Sequence, residues 1–313
     1  MKISTKKILL LSIGIILALS LLVGCPATYE PEPEPDENEY HIPMFILTRE
    51  EGSGTRAAFE QLFANNGFGT HTFENSFDMM FAVDSDFFTI GYVSLGLKDD
   101  FIVKAVDING ITPTIENVLN GSYNFIRPLN IVTQQGLSDV AEDFYNFILS
   151  AEGQDIIEAF GFARIHQGQP FVGTLPPGLV RVDGSSSMAP VLQELGTAYM
   201  RLNRNSNIEV ATSNSAVGLN VATAEAIYAY NQASPYNLAL HPGGLFDIGM
   251  VSREITAGEL TDGLNSTTIA HDSIAVIINY GNMIDGLSSE TVSAIFNGEV
   301  NNWLDPIFEA YRD

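Results

Sequence analysis

Three short turns rich in serine and glycine carry the residues best suited to chemistry in this chain. The first is Ser53-Gly54-Thr55, which begins four residues after Arg49. The second is Gly184-Ser185-Ser186-Ser187, and a third, less clear, is Thr212-Ser213-Asn214-Ser215. Backbone N–H groups at a helix start have no intrahelical partner, and hydroxyl groups add further donors. Such turns are suited to binding anions, and an arginine adds a permanently charged planar donor.

Each turn follows a strand-like run and leads into a helix-like run. Met44–Leu47 precedes the first turn, which an amphipathic helix follows. Val180–Val182 precedes the second turn, and Pro190 lies near the start of the next helix, where a missing N–H costs least. Ile208–Ala211 precedes the third turn, and an Ala-rich helical stretch runs from Val221. Strands that alternate with helices predict an α/β fold.

The remaining segments fit the same alternation. Ile274–Ile278 predicts a buried strand, and Ser288 is the expected N-cap of a short helix that ends at Gly298. Between Gln167 and Gly178, the run GQPFVGTLPPG is rich in proline and glycine. We interpret it as an internal linker.

The composition is globular and strongly acidic. Of 313 residues, 45% are hydrophobic and 17% charged, and 14 Lys plus Arg against 38 Asp plus Glu give a net charge of −24. Nucleic acid is therefore not an expected partner, because binding to it depends on Lys and Arg. At roughly 150 residues per domain the length predicts about two domains.

Catalytic and metal-binding motifs are absent from the sequence. It contains one Cys and five scattered His, which excludes an internal disulfide and the paired spacing of zinc sites. Neither a phosphate-binding P-loop motif nor a Gly-x-Ser-x-Gly nucleophile motif occurs. We therefore expect no metal, no cofactor and no enzymatic activity.

The first 39 residues predict an export signal followed by a tether. Residues 1–25 contain three lysines, an apolar run and then Leu22-Val23-Gly24-Cys25, which resembles the lipobox of bacterial lipoproteins. Cys25 is then the lipidated residue, and a plain membrane anchor is the alternative. Residues 26–39 form a Pro/Glu-rich run that predicts an extended spacer. Loss of the signal leaves eleven basic against 38 acidic residues, a net charge of −27.

Ten runs beyond Tyr40 resemble the periplasmic phosphate-binding proteins that serve bacterial ABC phosphate transporters. The similar runs are Thr48–Arg56, Ile90–Gly96, Val103–Val106, Pro113–Val118, Arg127–Leu129, Leu149–Gln154, Asp183–Pro190, Asp247–Arg253, Ile274–Asn279 and Ile295–Trp303. The resemblance implies an α/β, two-domain clamshell of the type II periplasmic-binding-protein fold, which holds the anion between its lobes.

The order of the runs departs from that family. Relative to it, the C-terminal half precedes the N-terminal half, which indicates a circular permutation; a half-domain exchange between two chains or a fragment of a tandem gene is the alternative. The resemblance then implies a first lobe from residues 40–93 plus 267–313 and a second lobe from residues 94–266. The chain would cross between lobes near Val93 and Thr268.

The resemblance also implies which residues hold the phosphate. They are Arg49, Ser53, Gly54 and Thr55 from the first lobe, and Ser186, Ser187, Ser215 and Ser252 from the second. Glu51 is expected to orient Arg49. Some family members have an aspartate where Ser252 falls, and that carboxylate accepts the proton of hydrogen phosphate and rejects sulfate. Selectivity between the two anions therefore stays open at this point.

Taken together, these features predict an extracytoplasmic, lipid-anchored protein of the cell membrane. It would capture inorganic phosphate between two lobes and deliver it to the permease of an ABC transporter. The alternatives are a phosphate sensor or surface-binding protein without a transport role, a binder of another tetrahedral oxyanion such as sulfate, and a phosphoester hydrolase that uses the same pocket.

Overall fold

The computed structural model describes residues 41–97, 102–221, 246–260 and 263–311. Three predicted features lie outside these residues: the signal segment 1–25 with Cys25, the tether 26–39, and the helical stretch that follows Val221. The described residues belong to a compact unit that begins at His41. No helix within them is long and apolar enough to cross a membrane.

Strands and helices alternate along the described residues, as the sequence predicts. The strands are β1 Phe45–Arg49, β2 His71–Phe73, β3 Thr89–Ser94, β4 Val103–Ala105, β5 Asp107–Ile108, β6 Ile126–Gln134, β7 Ala163–Arg164, β8 Gly178–Gly184, β9 Ser206–Val210, β10 Ile248–Val251, β11 Leu264–Asn279 and β12 Gly286–Leu287. The α-helices are α1 Gly54–Leu62, α2 Ser76–Ser85, α3 Ile115–Leu119, α4 Asp139–Leu149, α5 Ala151–Ala159, α6 Ala189–Leu202 and α7 Ser289–Phe296. Short 3₁₀ helices occupy Leu95–Leu97, Val217–Leu219 and Pro306–Tyr311.

The main sheet is mixed, with the 16-residue strand β11 at its centre. Its order is β2-β1-β3-β11-β6-β10-β8-β9, with β4 and β7 also paired to β11. The second half of β11 pairs antiparallel with β3 and β4, and its first half pairs antiparallel with β6 and β7. The flanking pairs β1·β3 and β8·β9 are parallel. One continuous strand thus joins two groups of parallel strands, and it extends well beyond the predicted strand Ile274–Ile278.

Local capping explains why the helices begin where they do. Ser53 caps α1 by accepting from the N–H of Arg56, and Ser288 caps α7 by accepting from the N–H of Thr291. Pro190 lies in the first turn of α6, where it sacrifices no helical hydrogen bond. These starts confirm the sequence prediction for the first two turns. The third turn leads into a single 3₁₀ turn, Val217–Leu219.

Buried apolar side chains form two large clusters. The first cluster contains side chains between residues 44 and 125, Ala163, and side chains between residues 274 and 308. The second cluster contains side chains between residues 129 and 270. Within the first cluster, the rings of Phe59 and Tyr92 stack at 3.9 Å between centroids, and Phe296 meets both rings edge-on.

These clusters divide the chain at points different from the expected lobe boundaries. We expected residues 94–266 to form one lobe, but Leu95, Val103 and Phe125 pack in the first cluster. The pairing of β4 with β11 and of β5 with β12 explains this, since both pairs attach the segment to strands of the first cluster. The two-lobe division itself remains a prediction.

The predicted linker and the start of the described chain are both held by hydrogen bonds. Asp143 accepts from the backbone N–H groups of Thr174 and Leu175, and its Oδ2 accepts from the hydroxyl of Tyr199 at 2.8 Å. At the start, the N–H of Trp303 donates to the carbonyl of Ile42. The start of the described chain therefore lies against the segment around Trp303. In the order usual for the family, that segment would run directly into β1; the permutation stays a prediction.

Candidate functional site

Arg49 is the last residue of β1, and its side chain is buried. Only 1% of the residue is exposed. Its backbone N–H donates to the hydroxyl of Tyr92, which also bonds the hydroxyl of Thr48. Burial raises the pKa of Tyr92 to about 12, so this hydroxyl stays protonated. The backbone of Arg49 is thereby fixed against the first cluster.

The guanidinium of Arg49 is oriented by a carboxylate on one side and presented to hydroxyls on the other. Glu50 accepts from Nε at 2.8 Å and from Nη2 at 2.9 Å, a bidentate pair. Nη1 donates to Ser76 at 2.8 Å, and Nη2 donates to Ser186 at 3.1 Å. We expected Glu51 in the orienting role, and that expectation is wrong. Glu51 is exposed, whereas Glu50 is buried with the arginine.

Burial raises the pKa of Glu50 above its ordinary value, while its hydrogen bonds and ion pair with Arg49 act in the opposite direction. The arginine therefore offsets part of the cost of desolvating this carboxylate. In return the carboxylate compensates a guanidinium that is itself almost fully buried.

The first turn closely approaches the third turn and Ser252, the residue after β10, and glycine is required there. Gly52 has φ of +86°, a conformation that favours glycine. A Cβ at Gly54 would overlap the Oγ of Ser215 and lie 2.6 Å from the Oγ of Ser252. The N–H of Ala216 also donates to the carbonyl of Gly52 at 3.1 Å. The start of α1 is thus in contact with the third turn.

The second turn presents three buried serines. Ser186 accepts from Arg49, and Ser187 accepts from Nη2 of Arg127 at 3.1 Å. Ser185 bonds Ser187 at 2.9 Å and donates to Ser252 at 2.7 Å. Ser185 was missing from the predicted set, although it belongs to the same serine run.

Ser215 and Ser252 complete the group from the third turn and from the end of β10. Both are fully buried. The backbone N–H of Ser252 donates to the Oγ of Ser215 at 3.0 Å, and the two hydroxyls lie 3.4 Å apart. The turns that the sequence placed far apart therefore meet in one place.

Arg127, a residue to which we assigned no role from the sequence, faces the same group. It is 2% exposed and lies in β6. Its Nη1 donates to the hydroxyl of Thr55 at 2.9 Å and to the hydroxyl of Ser252 at 3.2 Å. Its position within the similar run Arg127–Leu129 was the available signal, but nothing local in the sequence connects it to the turns.

Asp272 compensates Arg127 as Glu50 compensates Arg49. The Oδ2 of Asp272 accepts from Nε at 2.9 Å and from Nη2 at 2.7 Å, and both residues are buried. Burial lowers the pKa of Arg127 and the charge of Asp272 raises it, while the nearby charge of Arg49 lowers it further. Two guanidinium groups thus lie close enough to repel each other, a repulsion that an anion between them would relieve.

The described groups in this site are oriented to donate hydrogen bonds. The hydroxyls of Thr55, Ser186, Ser187 and Ser252 each accept from an arginine, and that of Ser215 accepts from a backbone N–H. The protons of Thr55 and Ser186 are available to an anion, whereas Ser187 donates to Ser185, which itself donates to Ser252. The carboxylate oxygens nearby face the arginines or, for Oδ1 of Asp272, the N–H of Gly96.

Seven of the eight predicted site residues are buried polar groups or glycine in this cluster, and Ser53 lies beside it as the N-cap of α1. The residues that sequence reasoning missed are Glu50, Ser76, Arg127, Ser185 and Asp272. Among the described residues, no group of three or more His, Cys, Asp or Glu is arranged to hold a metal ion. The arrangement is suited to a small anion with several acceptor oxygens.

Comparison with known proteins gives a family for this chain. The phosphate-binding protein PstS 2 of Streptococcus agalactiae serotype V is 33% identical over 313 residues, covering 96% of this chain and 98% of the relative. The chain belongs to the PstS family of phosphate-binding proteins. A PstS 2 of Streptococcus pneumoniae serotype 4 is 30% identical over 270 residues, covering 82% of this chain and 86% of the relative.

Structural comparison agrees with the PstS assignment. A crystal structure titled as the phosphate-binding protein of a phosphate ABC transporter from Streptococcus pneumoniae TIGR4 matches with a TM-score of 0.61 and 29% identity, covering 84% of this chain and 98% of that one. A family model described as a PBP superfamily domain matches residues 167–311. The α/β binding-protein fold and the family resemblance are confirmed, and the PstS relative from S. agalactiae aligns almost end to end in this chain's order.

Replacement of Gly54 by alanine should force the start of α1 away from Ser215 and Ser252. The added methyl group has no room beside either hydroxyl. We expect the free energy of unfolding in urea to fall by about 1–3 kcal/mol, the usual cost of overpacking. Gly258→Ala is the matched control, because a Cβ there meets nothing within 4 Å. Equal stability of both variants would contradict the close contact.

Proposed function

We propose that this protein captures inorganic phosphate at the cluster around Arg49 and Arg127. The observation that carries the proposal is the convergence of two buried guanidinium groups with five buried hydroxyls from separate segments. A tetrahedral oxyanion offers acceptor oxygens in several directions, which is the complement that a group of donors requires. The names of the PstS relatives, all phosphate-binding proteins, support this choice of anion.

The acidity of the chain is compatible with an anionic ligand. A net charge of −24 opposes the long-range attraction of anions. Salt screens such long-range effects over about 8–10 Å, whereas buried donors act at hydrogen-bond distance and are screened much less. Phosphate would therefore be held by short-range hydrogen bonds, since both arginines already carry a carboxylate partner.

We further propose that the bound phosphate is delivered to the permease of an ABC transporter from the outer side of the membrane. The solved relative's title, which names a phosphate ABC transporter, supports this context. Lipid attachment through Cys25 and the tether would keep the protein near that permease. A sensor or surface-binding protein would share the same site. A deletion strain distinguishes transport from sensing: a transport role predicts that phosphate uptake is lost and that the wild-type chain restores it.

Binding without covalent chemistry fits the described site better than hydrolysis does. Glu50 and Asp272 each use their oxygens on an arginine or a backbone N–H, so neither is free to serve as a general base. The comparisons point the same way, because the relatives are named as binding proteins.

Sulfate is a second candidate ligand because of the donor character of the site. Hydrogen phosphate carries one O–H group that needs an acceptor, whereas sulfate carries none. A hydroxyl oxygen can accept from an N–H and still accept one further proton, so the described hydroxyls reject neither anion, and no carboxylate stands at Ser252. The site therefore lacks the repulsive acceptor that would exclude a fully ionised anion.

Arg49→Ala should weaken phosphate binding by more than about 2 kcal/mol, roughly thirtyfold in Kd, because it removes a charge-assisted donor from a desolvated anion. Isothermal titration of the chain from residue 26 measures this directly. Arg164→Ala is the control, since Arg164 is partly exposed and pairs with Asp155 on the surface. An unchanged Kd for Arg49→Ala would remove that residue from the site.

Sulfate should bind within about tenfold of phosphate, because no carboxylate stands at Ser252 to discriminate between them. Parallel titrations with phosphate, sulfate and the planar monoanion nitrate test this, with nitrate expected to give no heat. Tight phosphate binding with no measurable sulfate binding would show that another group rejects sulfate, and it would leave the phosphate proposal intact. No heat with either tetrahedral anion would contradict both.

A further inference from the structure

Arg127 lies where two neighbouring strands pass from the first cluster to the second. We propose that Arg127 is a second anion-binding arginine, which contacts the ligand directly from these crossing strands. The inference rests on the proposed function and extends it to a residue outside the three serine turns.

The position of Arg127 follows from the register of β6 and β11. Asp272 is the direct antiparallel partner of Arg127 in this register. Phe125, directly before β6, belongs to the first cluster, and Leu129 within β6 belongs to the second. On β11, Ala270 belongs to the second cluster and Ile274 to the first, so the ion pair marks the crossing on both strands.

The direction of the guanidinium is fixed by how Asp272 binds it. That carboxylate takes Nε and one hydrogen of Nη2, which leaves the remaining N–H groups pointing away from it. These reach Thr55 from the first turn, and Ser187 and Ser252 from segments of the second cluster. Arg127 thus contacts hydroxyls on both sides of the crossing.

The two arginines converge on adjacent residues. Arg49 donates to Ser186 and Arg127 donates to Ser187. Each guanidinium has its carboxylate on one side and the serines on the other. The N–H groups of Arg127 already donate to Asp272, Thr55, Ser187 and Ser252, so a tetrahedral anion would replace one or more of these hydroxyls as their acceptor. Its negative charge would offset the repulsion between the two arginines.

A purely structural role is the competing explanation, in which the ion pair only fastens β6 to β11. The two explanations differ in what each half of the pair should do. If the ion pair is purely structural, neutralising either partner should have the same effect on stability and on phosphate binding. If Arg127 binds the ligand, the two substitutions have unequal effects on phosphate binding. Arg127→Gln removes donors to the anion, whereas Asp272→Asn leaves a cation that the anion itself can compensate.

The experiment compares Arg127→Gln with Asp272→Asn in the chain from residue 26, with inorganic phosphate as the probe. We expect Arg127→Gln to raise the Kd for phosphate about a hundredfold or more. We expect Asp272→Asn to raise the Kd by much less, about tenfold at most, because this carboxylate orients Arg127 but gives no donor to the anion. Phosphate should also raise the melting temperature of Asp272→Asn by more than it raises that of Arg127→Gln.

Two further variants keep the result decisive. The double variant Arg127→Gln with Asp272→Asn leaves no unpaired charge at this strand pair, so it tests binding if the single Arg127 variant fails to fold. Arg181→Lys is a control for loss of a buried guanidinium, since Arg181 is 5% exposed and lies 3.7 Å from Glu209. Equal weakening by Arg127→Gln and Asp272→Asn, or wild-type binding by the folded double variant, would overturn the proposal. Absence of phosphate binding by the wild type would instead contradict the proposed function.

Discussion

Burial of two guanidinium groups is the constraint on which the rest of this structure depends. An unpaired charge inside a protein costs several kcal/mol, so each group needs a compensating carboxylate. Glu50 meets that need for Arg49, and Asp272 meets it for Arg127 across the pairing of β6 with β11. Two features of the fold bring these four charges and their hydroxyl partners together. They are the long strand β11 and the contact between the first turn and the third.

The site shows how an acidic protein can be suited to an anion. Both arginines are neutralised on their inner sides, so neither adds net positive charge to a surface that is already negative. What they contribute is a set of fixed N–H donors, which orient the hydroxyls of Thr55, Ser186 and Ser187. Selection then depends on the shape and hydrogen-bonding character of the ligand more than on its attraction from a distance.

The sequence predicted the features that depend on local chemistry. The serine turns, the helix starts at Ser53 and Ser288 and the proline in α6 follow from capping rules that act over a few residues. Features that depend on pairing at long range were not predictable in this way. Arg127 and Asp272 are 145 residues apart in the chain. Their partnership follows from strand register, which no spacing in the sequence encodes.

Two further differences have the same origin. Glu50 and Glu51 are adjacent carboxylates, and only the backbone direction at the end of β1 determines which one pairs with Arg49. The segment from Leu95 to Phe125 was expected with the second lobe, but strand pairing attaches it to the first cluster.

A crystal structure of the chain from residue 26 with phosphate is the most direct test of the central claim that both arginines hold one anion. We predict a single tetrahedral anion with oxygens about 2.7–2.9 Å from guanidinium nitrogens of both Arg49 and Arg127. A phosphate bound to Arg49 alone, or bound away from Ser186 and Ser187, would contradict it.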